Sequence, residues 1–253
     1  SFDNPILTTQ IGTLGSIAIL EAIRGLNENV KFYQASSSEM YGGESEEVLN
    51  EKSLLNPKSP YAAGKVFSHN ITKIYRESYN MFAVNGILFN HESPYRGETF
   101  VTRKISRAVG RIHNGLQSKL TLGNLDACRD WGFAGDYTNG MYLMMQHPEP
   151  EDWVLSTGET HSVREFAQKA FEIVGLDWQD YVVTSKKYER PNEVNHLLGD
   201  SSKAREKLNW NPKLTFDELV DLMVKSDVKL AEKEKMLVEN KLLEPTWEYS
   251  INN

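Results

Sequence analysis

Tyr61 and Lys65 stand four residues apart in a stretch of helical pattern, so their side chains share one face. An ammonium beside a phenol stabilises the phenolate and depresses its pKa, which makes the pair a general base for a sugar hydroxyl. The chain holds eleven tyrosines, so this spacing also arises by chance, and an exposed helical pair is the competing reading. Ser37 and Glu39 lie upstream, at the exit of a strand-like run. Residues two apart on a strand project to the same side, and the C-terminal ends of strands line the ligand crevice of open α/β sheets. A hydroxyl and a carboxylate are therefore expected to face that crevice. The alternative is a polar turn in which Ser36, Ser37 and Ser38 cap local backbone.

The elements that must position these groups follow from the pattern. Asp3, Asn4 and Pro5 open a helix whose apolar positions Leu7, Ile11, Leu14 and Ala18 keep the helical period as far as Gly25, predicting one packed face. Residues 30–36 read as a buried strand and residues 56–59 as a loop. Ser59 suits an N-cap and Pro60 the first position of a helix running to residue 79. Residues 83–90 form the next apolar run, and strand, helix, strand predicts a parallel sheet covered by helices. Shorter mixed elements follow: helices at 101–114 and 134–145, a strand at 120–122, then segments at 153–157, 162–174 and 181–185 and a charged helix from 216 to about 240. The expected class is α/β, an incomplete Rossmann-like doubly wound parallel sheet over residues 1–95. A smaller mixed α/β substrate lobe is expected over 96–253, with residues from about 125 to 150 returning to the first domain.

The net charge of -7 and the scattered lysines and arginines give no footprint for nucleic acid. A single cysteine, Cys128, cannot form an intrachain disulfide. With no recognisable signal peptide or long apolar run, the expectation is a reduced, cytoplasmic protein without a membrane partner. The first residue is Ser1, so a preceding segment is expected.

The run FYQASSSEMYG at 32–42, followed by SPYAAGK at 59–65, resembles the active-site segment of extended short-chain dehydrogenases/reductases. Within them it is most similar to the GDP-mannose 4,6-dehydratase family. The resemblance extends through AVNGILFNHESP at 83–94, FVTRKI at 100–105, LGNLDA at 122–127 and RDWG at 129–132. It continues in TGE at 157–159, HSVREF at 161–166, RPNE at 190–193 and KLNWNP at 207–212. It implies that Tyr61 removes the proton of the sugar 4-hydroxyl while hydride leaves C4 for NADP, with Lys65 holding the cofactor ribose. Glu39 then takes the C5 proton, and Glu39 or the Ser37 hydroxyl assists loss of water from C6 before hydride returns there. GDP-mannose would become GDP-4-keto-6-deoxymannose, a first step towards GDP-fucose or related deoxyhexoses, in a homodimer or homotetramer and without a metal.

By the same resemblance His91 and Arg96 join Tyr61 and Lys65 at the cofactor, and Asn90, Thr102, Lys104, Gly123, Asn124, Arg129, Arg190 and Glu193 contact the substrate. Local alternatives are a structural role for His91, a surface-loop arginine at 96, a solvated helix-end lysine at 104, a plain turn at Gly123 and Asn124, and arginine–carboxylate pairing at Arg129, Arg190 and Glu193. Ser37 replaces the commoner threonine and keeps the hydroxyl, while Tyr95 and Gly135 stand where charged residues are usual. No Gly-x-x-Gly-x-x-Gly turn follows a strand in these residues. The grip on the cofactor's pyrophosphate is therefore expected in a further segment on the order of 60–100 residues. A sugar-nucleotide epimerase or reductase shares Tyr61 and Lys65 without needing Glu39, and a noncatalytic assembly partner is the remaining alternative.

Overall fold

The computed structural model describes residues 1–26, 29–43, 47–188, 192–245 and 247. In chain order the elements are α1 (Pro5–Leu26), β1 (Phe32–Ser37), α2 (Pro60–Tyr79), β2 (Ala83–Leu88), β3 (Asn90–Glu92), α3 (Val101–His113) and β4 (Leu120–Leu122). There follow β5 (Cys128–Arg129), β6 (Trp131–Phe133), α4 (Ala134–Gln146), β7 (Asp152–Leu155), β8 (His161–Ser162), α5 (Val163–Glu172), β9 (Val182–Thr184), α6 (Ser202–Leu208) and α7 (Phe216–Glu239). The chain divides into two compact units. One comprises Ser1–His91, Arg129–Thr160 and Asn192–Lys213, and the other Glu92–Cys128, His161–Pro191 and Leu214–Asn253.

The first unit is built on a three-stranded parallel sheet of order β1-β2-β7. β2 is buried along its whole length, as a parallel strand covered on both faces must be. Alternation sends Val84 and Leu88 of β2, with Trp153 and Leu155 of β7, into one core with Tyr137, Met144, Ala204 and Trp210. Ile87 and Val154 point the other way and pack with Met40, Tyr41, Phe89 and Leu197. The parallel sheet and its covering helices are those the sequence pattern predicts.

The packed face of α1 differs from the expected one. Leu7, Ile11 and Leu14 are exposed, whereas Leu20 is buried and Ile17 and Ile23 are partly buried against Phe32, Tyr75 and Ala83. The reason is close backbone approach to α2. A side-chain carbon built on Gly12 would lie 3.6 Å from the Gly64 Cα, so small residues rather than large ones make this seam. Ser68 Oγ donates to the Gly12 carbonyl and Ser16 Oγ donates to Ser68 Oγ at 2.9 Å. By length and composition alone α1 is also apolar enough to cross a membrane, which corrects the expectation that the chain holds no long apolar run.

The second unit packs α3 against α7 and α5, beside the parallel pair β4 and β9. Ser162 opens α5 and Thr215 opens α7, each in a reciprocal capping box with a glutamate three residues on. The α3–α7 seam is ionic. Asp227, fully buried, accepts from Ser106 Oγ at 2.6 Å, lies 2.9 Å from Arg103 and 3.8 Å from Arg107, and Glu234 pairs with Arg107 and Arg111. Removing one partner of such a cluster leaves buried charge uncompensated. Asp227→Ala should therefore cost about 3–5 kcal/mol in urea unfolding; a loss below about 1 kcal/mol, the size of an exposed pair, would contradict this.

Candidate active site

Serine, proline and tyrosine start α2 in the way the site needs. Ser59 Oγ accepts from the Ala62 N–H at 3.1 Å and Pro60 takes the first helical position, which leaves Tyr61 in the first turn and 42% exposed. One turn on, Lys65 Nζ donates to the Ala35 carbonyl at 2.7 Å and lies 5.6 Å from the centre of the Tyr61 ring. Burial lowers the pKa of Lys65. The ammonium is thus anchored near the end of β1 and placed beside the phenol. Ala35 carbonyl also accepts from Gln34 Nε2 at 3.1 Å, so the anchor point is itself held.

Ser37 ends β1 and caps the 3-10 turn Ser38–Tyr41, its Oγ accepting from the Glu39 N–H at 3.2 Å. The direction of Glu39 is therefore set by this turn, not by strand alternation as the sequence reading assumed. Ser38, Met40 and Tyr41 around it are buried, Tyr41 donates to the Asn50 carbonyl at 2.7 Å, and Met40 carbonyl accepts from the Asn56 N–H at 2.8 Å. Gly42 lets the chain leave the turn at φ +83°, where a side-chain carbon would lie 2.1 Å from the Asn56 oxygen. Glu39, half-buried between fixed neighbours, is presented on a turn that packs against α2.

The remaining predicted residues sort by what holds them. Asn90 and His91 are half-buried on β3; His91 stacks on Tyr137 at 5.0 Å, and its Nδ1–H donates to the Phe89 carbonyl at 2.9 Å. That bond places a proton on Nδ1 of the imidazole. Arg129 and Glu193 meet each other, Nη2 to Oε1 at 3.5 Å, which is the arginine–carboxylate pairing weighed against direct ligand contact. Arg190 lies outside the described residues.

In the second unit Lys104, half-buried, sits 3.8 Å over the Tyr188 ring, and burial lowers its pKa. Thr102 is a correction: it is 1% exposed and its hydroxyl donates to Glu92 Oε2 at 2.6 Å, so that side chain points inward and is not offered to a ligand. Arg96 is not the surface arginine of the alternative reading either, being paired with Glu92 at 3.2 Å and stacked 3.6 Å over Phe100. Asn124 Oδ1 accepts from the Asp126 N–H at 2.9 Å, forming the plain turn.

Sequence reasoning missed the buried carboxylates behind these groups. Asp130, beside Arg129, accepts from Thr157 N–H and Oγ1 at 2.8 and 2.7 Å, from Gly158 N–H at 3.0 Å and from Gly199 N–H at 3.4 Å. Burial nevertheless raises its pKa to about 6. The RDWG run around it was the available signal. Glu92 had a weaker one, its place directly before the turn that the Arg96 N–H closes on the Ser93 carbonyl at 3.0 Å.

An exposed phenol with a lysine anchored one turn later, on the first helix-crossover of a parallel sheet, defines a short-chain dehydrogenase/reductase type of protein, and solved structures agree on the fold. An RMD from Pseudomonas aeruginosa complexed with NADPH superposes with TM-score 0.82 at 21% identity, over 90% of this chain and 76% of that one. The family profile described as "GDP-mannose 4,6 dehydratase" matches residues 1–223, and the chain belongs to that family. GDP-mannose 4,6 dehydratase 1 of Arabidopsis thaliana is 51% identical over 243 residues, covering 94% of this chain and 67% of the relative. GDP-mannose 4,6 dehydratase of Homo sapiens is 49% identical over 249 residues, covering 91% and 67%. The chain thus spans about two thirds of the length of these curated relatives.

Burial pushes the Glu92 carboxyl up to about 7, outweighing Arg96 and Thr102, which pull it down. Its ordinary value is 4.5, so the folded chain holds a proton that the unfolded chain has released, and stability falls as pH rises through that window. The unfolding free energy from urea titrations should drop between about pH 4.5 and 7, by on the order of 1.4 kcal/mol for each unit of displacement. Glu92→Gln should flatten that drop; an equally steep profile in the variant would rule out Glu92 as its source.

Proposed function

We propose that the protein to which these residues belong converts GDP-mannose to GDP-4-keto-6-deoxymannose as a hydro-lyase using NADP. The observation that carries the reading is the joint presence of an anchored Tyr61–Lys65 pair and a carboxylate, Glu39, held on a capped turn packed against the same helix. Membership of the dehydratase family and 51% identity to a named relative support the substrate.

The residues present fit the nicotinamide-ribose end of such a cofactor. The phenol of Tyr61 and the ammonium of Lys65 are hydrogen-bonding groups of the kind that ribose hydroxyls take, and both stand on one helix face. When bound, the nicotinamide supplies a hydride acceptor that is regenerated within the cycle. Tyr61 Oη takes the proton of the sugar 4-hydroxyl, and Lys65 stabilises the charge that the phenol carries before that transfer. Oxidation at C4 acidifies the C5 hydrogen. Glu39 Oε removes that proton, and the same carboxyl, or the Ser37 hydroxyl, delivers a proton to the departing C6 hydroxyl, so that the C6–O bond breaks and water leaves. His91, held through Nδ1 on the Phe89 carbonyl, contacts the substrate or the carboxamide.

Lys104 contributes positive charge for the diphosphate, and Arg129 with Glu193 offers a donor and an acceptor for the nucleotide. The exposed Ile6, Leu7, Ile11 and Leu14 of α1 support self-association as a homodimer or homotetramer, and a single cysteine in the sequence suits a cytoplasmic setting.

In the full-length protein Tyr61→Phe and Glu39→Gln should each lower turnover of GDP-mannose by about 10²–10⁴-fold, the usual contribution of a positioned acid or base. Mass spectrometry of the product, lighter by one water, is the readout. Unimpaired dehydration by Glu39→Gln would exclude Glu39 as the acid–base group of the elimination, whereas conversion of GDP-mannose without loss of water would turn the reading towards an epimerase or reductase.

A further inference from the structure

The sheet of the first unit carries a row of buried polar side chains where a covered parallel sheet calls for apolar ones. Gln34, Asn85 and Asp152 are direct neighbours across β1, β2 and β7, and Ser36 follows one step along β1 on the same face. Gln34, Ser36 and Asn85 are each at most 7% exposed. Over this row lies His69 of α2, also 7% exposed and one helical turn beyond Lys65.

The connections are specific. His69 Nδ1 lies 3.1 Å from Ser36 Oγ, and His69 Nε2 faces Asp152 Oδ2 at 3.7 Å. The carboxylate draws the ring proton to Nε2, so Nδ1 accepts from the Ser36 hydroxyl. Asn85 Nδ2 donates to the His69 carbonyl at 3.1 Å and to Asp152 at 2.8 Å, and Arg76, two turns further along α2, pairs with Asp152 at 2.9 Å. Burial holds His69 below the ordinary histidine value, with Asp152 opposing and Arg76 and Lys73 adding to the effect, so the ring is neutral. Serine, histidine and aspartate in this order invite comparison with a nucleophile relay. Ser36 is 5% exposed, however, and its hydroxyl is directed at His69 within the sheet–helix interface, so this is a structural relay.

Lys65 and His69 therefore hold consecutive residues of β1 from consecutive turns of α2, one through the Ala35 carbonyl and the other through the Ser36 hydroxyl. We infer that His69 is a positioning residue for the Tyr61–Lys65 pair: through Ser36 and Asp152 it fixes the register of α2 on the sheet, and with it the approach of the lysine ammonium to the phenol. An apolar side chain of similar size would fill the space but leave Ser36 and Asp152 without this partner, and α2 free to settle by a fraction of an ångström. Displacements of that size are enough to change catalysis. The role rests on the dehydratase reading only for its kinetic consequence.

The test uses the full-length protein with His69→Leu, His69→Gln and the milder Ser36→Ala, each with and without Tyr61→Phe. The difference in tyrosinate absorbance between the two backgrounds isolates the titration of Tyr61 and needs neither cofactor nor turnover. His69→Leu should move that step to higher pH by about half a unit or more, because the ammonium no longer stabilises the phenolate as well. Ser36→Ala should move it in the same direction, and His69→Gln, whose amide can both accept from Ser36 and donate towards Asp152, should restore it. kcat for GDP-mannose should fall about tenfold in His69→Leu with KM changed less than about twofold, a split expected of lost transition-state positioning. An unmoved Tyr61 step in Ser36→Ala and in whichever His69 variants fold, with only the melting temperature lowered, would overturn the inference. A step that moves as expected in a protein that never dehydrates GDP-mannose would sink the dehydratase reading and leave this one standing.

Discussion

The hydrogen bond from Lys65 Nζ to the Ala35 carbonyl is the constraint on which the site depends. It ties the catalytic helix to the sheet near the point where β1 gives way to the turn carrying Glu39. A lysine side chain is long and loses much rotamer freedom when fixed, so the bond is informative only because both ends are held. Gln34 and the parallel pairing with β2 hold the acceptor, and the capped start of α2 holds the donor's helix. Tyr61 stands four residues earlier on that helix. It inherits its position from the first turn of a helix whose next turn is anchored.

Glu39 is placed by different means. Ser37 caps the turn, Met40 and Tyr41 sink into the core, and Gly42 releases the chain in a left-handed conformation. A carboxylate flanked by two buried residues has little freedom to wander. The two halves of the proposed chemistry, removal of the 4-hydroxyl proton by the phenol–lysine pair and elimination by the carboxylate, thus rest on independent local devices that share one strand end. In the sheet beneath, the buried side chains of Ser36, His69 and Asn85 and the carboxylate of Asp152 are joined by hydrogen bonds, as low dielectric demands.

Much of this was legible in the residues. Ser59 and Pro60 announced the start of α2, and the alternating apolar runs announced a parallel sheet, because capping and strand patterning are local and leave local marks. The face of α1 was not legible: its large apolar side chains mark the exposed side, while Gly12 and Ser16 make the seam with α2, and small residues carry no hydrophobic signal. Thr102 was misassigned for a related reason, since a hydroxyl suited to a ligand is equally suited to a buried carboxylate ten residues away. His69, Asp130 and Glu92 work through partners distant in sequence, and no spacing rule connects Ser36 to His69 or Asp152. The resemblance to a family carried the substrate, which no single residue here specifies.

The central claim is that the Glu39 carboxylate exchanges the hydrogen at the sugar C5 while Tyr61 works at C4. Running the full-length protein on GDP-mannose in deuterated water and locating the label by NMR tests it most directly. The account requires one solvent deuterium at C5 of the 4-keto-6-deoxy product, and its loss together with activity when position 39 cannot take a proton. Product formed with the original hydrogen still on C5 would contradict it.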